Sequence, residues 1–138
     1  MRYTLIAVAG FAAIVSGRLM AHHGDAGRFQ DEVTTMTGVV VALQLVNPHS
    51  SIIFDVTDEN GNVVRWQAEM GGPTGLANNF GWNRSTLTPG AAIQVTGRVV
   101  RSGAPFINLT ERARIVLLDT CEEIYHSRTP PDHPMGCS

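Results

Sequence analysis

Three histidines carry the most specific chemistry that the sequence offers. His22 and His23 are adjacent near the start of the chain, and His49 follows Asn47-Pro48. If His22 is the first residue of the mature chain, its free amine and its own imidazole form a chelating pair for a transition metal. Copper favours such nitrogen ligands, whereas magnesium and calcium favour oxygen. A second histidine would complete a T-shaped or square-planar set. His49 is the best candidate, because a turn can present it rigidly.

The same residues also have simpler interpretations, which the sequence leaves open. His22 and His23 can belong to a solvated terminus, and His49 can be a turn histidine whose ring hydrogen-bonds to the backbone. Geometry also limits a shared site. His22 precedes the first predicted strand and His49 follows it, and that strand spans ~40 Å if straight, at ~3.3 Å per residue. A bent strand shortens this gap, so the contact can form within one molecule or between two.

The first residues decide whether His22 becomes a terminus. Arg2 supplies a positive charge, and residues 5–15 form an apolar run shorter than the ~20 residues that a membrane-spanning helix needs. We therefore predict a signal peptide over residues 1–21, cleaved after Ala21, and a periplasmic or secreted bacterial protein with no membrane association after cleavage. Cleavage after Gly17 is the alternative, because Arg18 is unusual so close to a cleavage site. That cut would remove the terminal chelate.

Composition narrows the class of function. Cleavage after Ala21 would leave 117 of the 138 residues, enough for one small domain. Without Arg2 and Arg18, 8 basic residues face 12 acidic ones, so the net charge is −4. This mildly acidic balance argues against binding to nucleic acid. The sequence has no nucleophile elbow, phosphate-binding loop or dinucleotide motif. We therefore expect no enzyme, with a copper redox enzyme as the remaining catalytic alternative.

Alternating apolar residues predict five strands and one short helix. Strand one covers residues 34–46, the Asn60-Gly61 turn separates strands two and three, and the helix covers residues 74–80. Strand four follows Pro89-Gly90, and strand five covers residues 106–118. The predicted inward face of strand one contains Val39, Val41, Leu43 and Leu45. Three strands, a helix and two strands follow the order of an OB-type barrel, and a β-sandwich is the alternative.

We thus predict an all-β fold, a small five-stranded OB-like barrel with one short helix between strands three and four. An N-terminal lead-in covers residues 22–33, the barrel covers residues 34–118, and an irregular C-terminal tail covers residues 119–138. Both cysteines, Cys121 and Cys137, lie in this tail. In an exported protein such a pair predicts a disulfide. Thiolate metal binding with His126 and His133 is the alternative, although the spacing fits no standard zinc pattern.

Several segments together resemble one protein family. They are Ala21-His22-His23, Thr37-Gly38-Val39-Val40, Val46-Asn47-Pro48-His49 and residues 81–90. This combination resembles a family of small exported bacterial proteins of uncharacterised function that are built on an OB-like barrel. The resemblance runs from about Ala21 to Leu118 and does not include the cysteine-containing tail. It implies a fold and a location rather than an activity.

Two hypotheses of different classes follow. In the first, the chain is a non-catalytic periplasmic domain that binds copper through His22, His49 and His23, for carriage, buffering or delivery. In the second, it is an interaction module. There the barrel face or an exposed strand edge binds a protein partner or another copy of the chain, and no metal takes part. Copper is the one cofactor that the sequence predicts, and under the second hypothesis there is none.

Overall fold

A computed structural model describes residues 27–137, which form a closed β-barrel followed by a hairpin. The first three strands are β1 (Thr34–Gln44), β2 (Ser51–Thr57) and β3 (Val63–Glu69), and the helix α1 (Pro73–Phe80) follows them. The remaining strands are β4 (Ala92–Val99), β5 (Phe106–Asn108), β6 (Arg114–Leu117) and β7 (Glu122–His126).

The barrel closes because β1 pairs along both of its edges. It is antiparallel to β2 from Val39 to Gln44 and antiparallel to β4 from Thr34 to Val39. The parallel pairing of β3 with β5 and the antiparallel pairing of β5 with β4 complete the circuit β1-β2-β3-β5-β4. The predicted five-stranded OB-like barrel is confirmed. Such closure protects strand edges that would otherwise be free to pair with other chains.

Because of a bulge in β1, the inward face of that strand differs from the predicted one. The register with β2 shifts between Val40 and Ala42. One extra residue moves all following side chains to the opposite face. Before the bulge Val40 is buried, while Val39 is 47% exposed. After it, Leu43 and Leu45 pack against the core. The prediction was therefore wrong for Val39, because the alternation is not continuous along β1.

Two glycines allow the barrel strands to approach closely. A Cβ atom at Gly38 in β1 would lie 2.6 Å from the carbonyl oxygen of Asp55 in β2. A Cβ at Gly97 in β4 would lie 2.6 Å from the carbonyl oxygen of Asn108. Backbone atoms cannot move away as easily as flexible side chains. Glycine is therefore required where β1 and β4 cross their neighbours.

The helix α1 covers one end of the barrel. It begins at Pro73, one residue before the predicted start, because proline fits the first helical position, where no hydrogen bond is lost. It ends at Phe80, and the next residue, Gly81, caps it in the left-handed conformation with a φ of 69°. Leu76 is its buried residue, and Trp82, just after the helix, is 4% exposed. Both side chains belong to the core of the barrel.

The C-terminal region differs most from the predicted elements. Predicted strand five is two short strands, β5 and β6, separated by residues 109–113, where Arg112 has a positive φ of 48°. The tail predicted to be irregular contains β7, which pairs antiparallel with β6. A disulfide joins Cys121 and Cys137, whose Cα atoms are 5.7 Å apart. With both sulfurs bonded, neither is available as a thiolate ligand.

The close approach at Gly38 gives a stability prediction. Gly38→Ala places a Cβ against backbone, so we expect a loss of about 1–3 kcal/mol in the free energy of unfolding. The matched control is Gly75→Ala in α1, because a Cβ there meets no heavy atom within 4 Å. Helix propensity predicts no loss at that position and a gain of at most about 1 kcal/mol. Urea denaturation of both variants is the measurement, and equal effects would contradict this description of the closure.

Candidate functional site

The turn that carries His49 is held firmly between β1 and β2. The Ser50 amide donates to the Gly71 carbonyl at 3.2 Å, and the Met70 amide donates to the Ser50 carbonyl at 2.9 Å. On the other side of the turn, a Cβ at Gly72 would lie 3.0 Å from the carbonyl oxygen of Pro48. The turn is thus packed against the connection from β3 to α1. His49 is exposed, whereas Ser50 beside it is buried. A fixed backbone therefore presents the imidazole to solvent.

The other two predicted copper ligands, His22 and His23, lie outside the described residues. The described chain starts beside the end of β4, where Phe29 pairs with Val100 and the Arg101 amide donates to the Arg28 carbonyl at 2.9 Å. This point adjoins the beginning of β1, whereas His49 follows the end of β1. The structure therefore does not bring His49 close to the start of the described chain.

Within residues 27–137, no three side chains of histidine, cysteine, aspartate or glutamate form a group that could hold a metal. His126 packs edge-on against Phe80, with ring centroids 5.3 Å apart, and its Nδ1 lies 3.0 Å from the Ser127 carbonyl. His133 is exposed, and its carbonyl accepts a hydrogen bond from Arg114 at 2.6 Å. Neither histidine joins His49 in a common group.

A cleft of about 570 Å³ opens between α1 and β7. Its apolar lining consists of Leu76, Phe80 and Tyr125. Its glycines are Gly71, Gly72 and Gly75. Its polar side chains are Thr74, Asn79, Thr110, His126, Ser127 and Arg128. The cleft thus combines an apolar surface with hydrogen-bonding groups and one arginine, a composition typical of small-molecule sites.

Hydrogen bonds fix β7 beside the helix. Trp82 donates its indole N–H to the carbonyl of Ile124 at 2.8 Å, and the Tyr125 hydroxyl donates to the carbonyl of Leu109 at 2.6 Å. The rings of Phe80 and Tyr125 are in contact, with centroids 5.1 Å apart. Both hydrogen bonds satisfy polar groups that are at least partly buried, where an unpaired group would be costly. The apolar surface of the cleft is therefore built into the fold.

The lining of the cleft contains an arginine and no carboxylate. Arg128 is exposed, and within residues 27–137 its guanidinium has no hydrogen bond or ion pair. In the same part of the chain, the side chains of Thr74 and Asn79 also have no hydrogen-bond partner. These three groups are available to an external ligand, and the net charge that they present is positive.

Sequence reasoning did not identify this cleft. Its two walls come from residues 71–80 and from residues 110 and 125–128, which only the tertiary fold brings together. The dense glycines at Gly71, Gly72 and Gly75 were a usable signal, because they remove side-chain volume directly before and within a helix. The other wall belongs to the tail that was predicted to be irregular.

Residues 11–106 match the Family of unknown function (DUF6152), and the chain belongs to this family. The matched range includes α1 and ends at the first residue of β5, so β6 and β7 lie outside it. No curated protein and no solved structure matches the chain. Among the helices of the described residues, none is long and apolar enough to cross a membrane.

Tyr125 provides a spectroscopic test of the cleft lining. Burial raises the pKa of its phenol above the ordinary value of about 10. In a chain starting at His22 it is the only tyrosine, because Tyr3 lies in the predicted signal peptide. The unfolded chain then releases its phenol proton first. The folded state therefore favours the protonated phenol of Tyr125. The stability that this preference contributes is complete below about pH 10 and is lost as the pH rises through the folded pKa.

The measurement is the phenolate absorbance, titrated in the native protein and in urea, with Tyr125→Phe as the blank. We expect the native phenol to ionise at higher pH than the unfolded one. Identical titration curves in the two states would show that Tyr125 is not held in a buried site.

Proposed function

We propose that the chain is a non-catalytic domain of the bacterial periplasm that binds copper through His22, His23 and His49. The observation that carries the proposal is the exposed imidazole of His49 on a turn whose backbone is fixed by Gly71 and Met70. A ligand that is already positioned loses little freedom when it binds a metal. Imidazole and amine nitrogens suit Cu(II).

The reach of the chain bears on how these ligands meet. A path along the sheet joins the start of the described chain to the turn that carries His49. It follows β4 from Val100 to Ile93 and continues along β1 from Gly38, which pairs with Ile93, to Leu45. This path is roughly 45 Å long at ~3.3 Å per residue. The five residues 22–26 extend by at most about 18 Å. Curvature of the barrel makes the direct separation shorter than the strand path. The difference nevertheless favours a site in which His22 and His23 of one copy meet His49 of a second copy.

Titration with Cu(II) tests the site on the exported protein after removal of the signal peptide, with its start confirmed by intact mass. We expect binding at neutral pH that weakens below about pH 6.5, where protons compete for imidazole nitrogens. We also expect copper to increase the mass in size-exclusion chromatography with light scattering. Loss of a direct ligand should weaken copper binding at least as much as loss of an outer-shell partner, which costs about 10–100-fold in metal affinity.

Three variants make the test specific. His49→Ala is expected to weaken binding and to abolish the copper-dependent increase in mass. One extra glycine before His22 removes the contribution of the terminal amine and should also weaken binding. The matched control is His133→Ala, because His133 is likewise exposed but lies outside the proposed site. Unchanged copper affinity in the first two variants, or a mature chain that starts at Arg18, would refute the proposal.

The alternative function is an interaction module that uses the outer face of the barrel. Val39 in β1 and Val63 in β3 are exposed by 47% and 62%, and β2 lies between these two strands of the β1–β2–β3 meander. Exposed apolar side chains of this kind are typical of interaction surfaces when they form a contiguous patch. An oligomer that forms without metal, and that Val63→Thr weakens, would favour this function over copper binding.

A further inference from the structure

We propose that the cleft between α1 and β7 binds a small amphipathic carboxylate. The apolar part of the ligand would lie on Leu76, Phe80 and Tyr125, and its carboxylate would bind Arg128. His49 does not line this cleft, so the site is independent of the proposed copper site.

The size of the cleft fits a small molecule. Its volume of about 570 Å³ lies within the range of ordinary ligand sites, roughly 300–1,000 Å³. A stable protein interface buries about 800 Å² on each partner, far more than three apolar side chains can provide. The aromatic rings of Phe80 and Tyr125 are already in contact, so the apolar surface does not have to form when a ligand arrives.

The charge of the cleft selects an anion. Arg128 lines the cleft, and its guanidinium stays positively charged at every ordinary pH. The lining contains no carboxylate that would neutralise this charge. A guanidinium matches the planar geometry of a carboxylate and can donate two parallel hydrogen bonds to it. The side chains of Thr74 and Asn79, which have no partner within residues 27–137, can donate further hydrogen bonds.

The glycines leave room for this ligand. A Cβ atom at Gly71 or Gly75 would meet no heavy atom within 4 Å, so both positions border open space. Gly72 has a different role, since a Cβ there would lie 3.0 Å from the Pro48 carbonyl oxygen. A larger side chain at Gly75 would therefore occupy the cleft without a clash, which makes the site easy to block.

The test uses phenylbutyrate as the probe and its neutral amide, phenylbutanamide, as the matched control ligand. Binding is followed by amide chemical shifts in the exported protein, without added metal. We expect phenylbutyrate to shift the amides of Gly71, Gly75 and Thr110. We expect the neutral amide to bind about tenfold more weakly, because it loses a charge-assisted hydrogen bond.

Variants test separately the charge of Arg128 and the open space beside Gly75. Arg128→Gln should weaken phenylbutyrate binding by about tenfold. Arg84→Gln, at an exposed arginine outside the cleft, should have no effect. Gly75→Leu should abolish binding, and its well-dispersed spectrum would show that the fold is retained. His49→Ala should bind phenylbutyrate like the unmodified protein, so failure of the copper site and failure of this site are distinguishable.

Three results would overturn the proposal. The first is the absence of shifts in the cleft up to the solubility limit of phenylbutyrate. The second is equal binding of the acid and its amide, which would show that Arg128 does not select a carboxylate. The third is a change of the cleft signals on dilution without probe, which would show that a second copy of the chain occupies the cleft.

Discussion

The pairing of β1 along both edges is the constraint on which the rest of the structure depends. One strand must contact β2 with its second half and β4 with its first half. The bulge after Val40 and the absence of a side chain at Gly38 make this geometry possible. As a consequence, the lead-in and the His49 turn lie beyond opposite ends of β1. The same closure leaves one end of the barrel to be covered by α1.

The cleft forms at the seam between this barrel and the C-terminal hairpin. β6 extends the sheet from β4, and β7 then lies next to the end of α1. Trp82 joins the two parts through its hydrogen bond to the carbonyl of Ile124. Since Tyr125 contacts Phe80 from the other element, the apolar surface belongs to neither part alone. A ligand could therefore bind there only while the hairpin is packed against the barrel.

Local patterns in the sequence were sufficient for the barrel but not for the cleft. Alternation over β2 and β4, and the glycine and proline turns, depend on neighbouring residues and could be predicted. The bulge in β1 could not, because nothing in the run of valines near Val40 marks the change of face. The strand β7 was missed because it begins with Glu122-Glu123 and buries only Tyr125. The His49 turn was found through Pro48, whereas the cleft needs contacts between residues about 50 positions apart in the chain.

The most direct test of this description is native-state hydrogen exchange, because the preformed cleft requires β7 to unfold together with the barrel. The Leu109 amide donates to the Glu69 carbonyl at 2.8 Å inside the barrel, and the Ser127 amide donates to the Ala113 carbonyl at 3.0 Å beside β7. If the hairpin is part of one cooperative unit, both amides exchange with the free energy of global unfolding. Exchange of the Ser127 amide through a local opening with a much smaller free energy than global unfolding would contradict this. The cleft would then lose one wall while the barrel stayed folded.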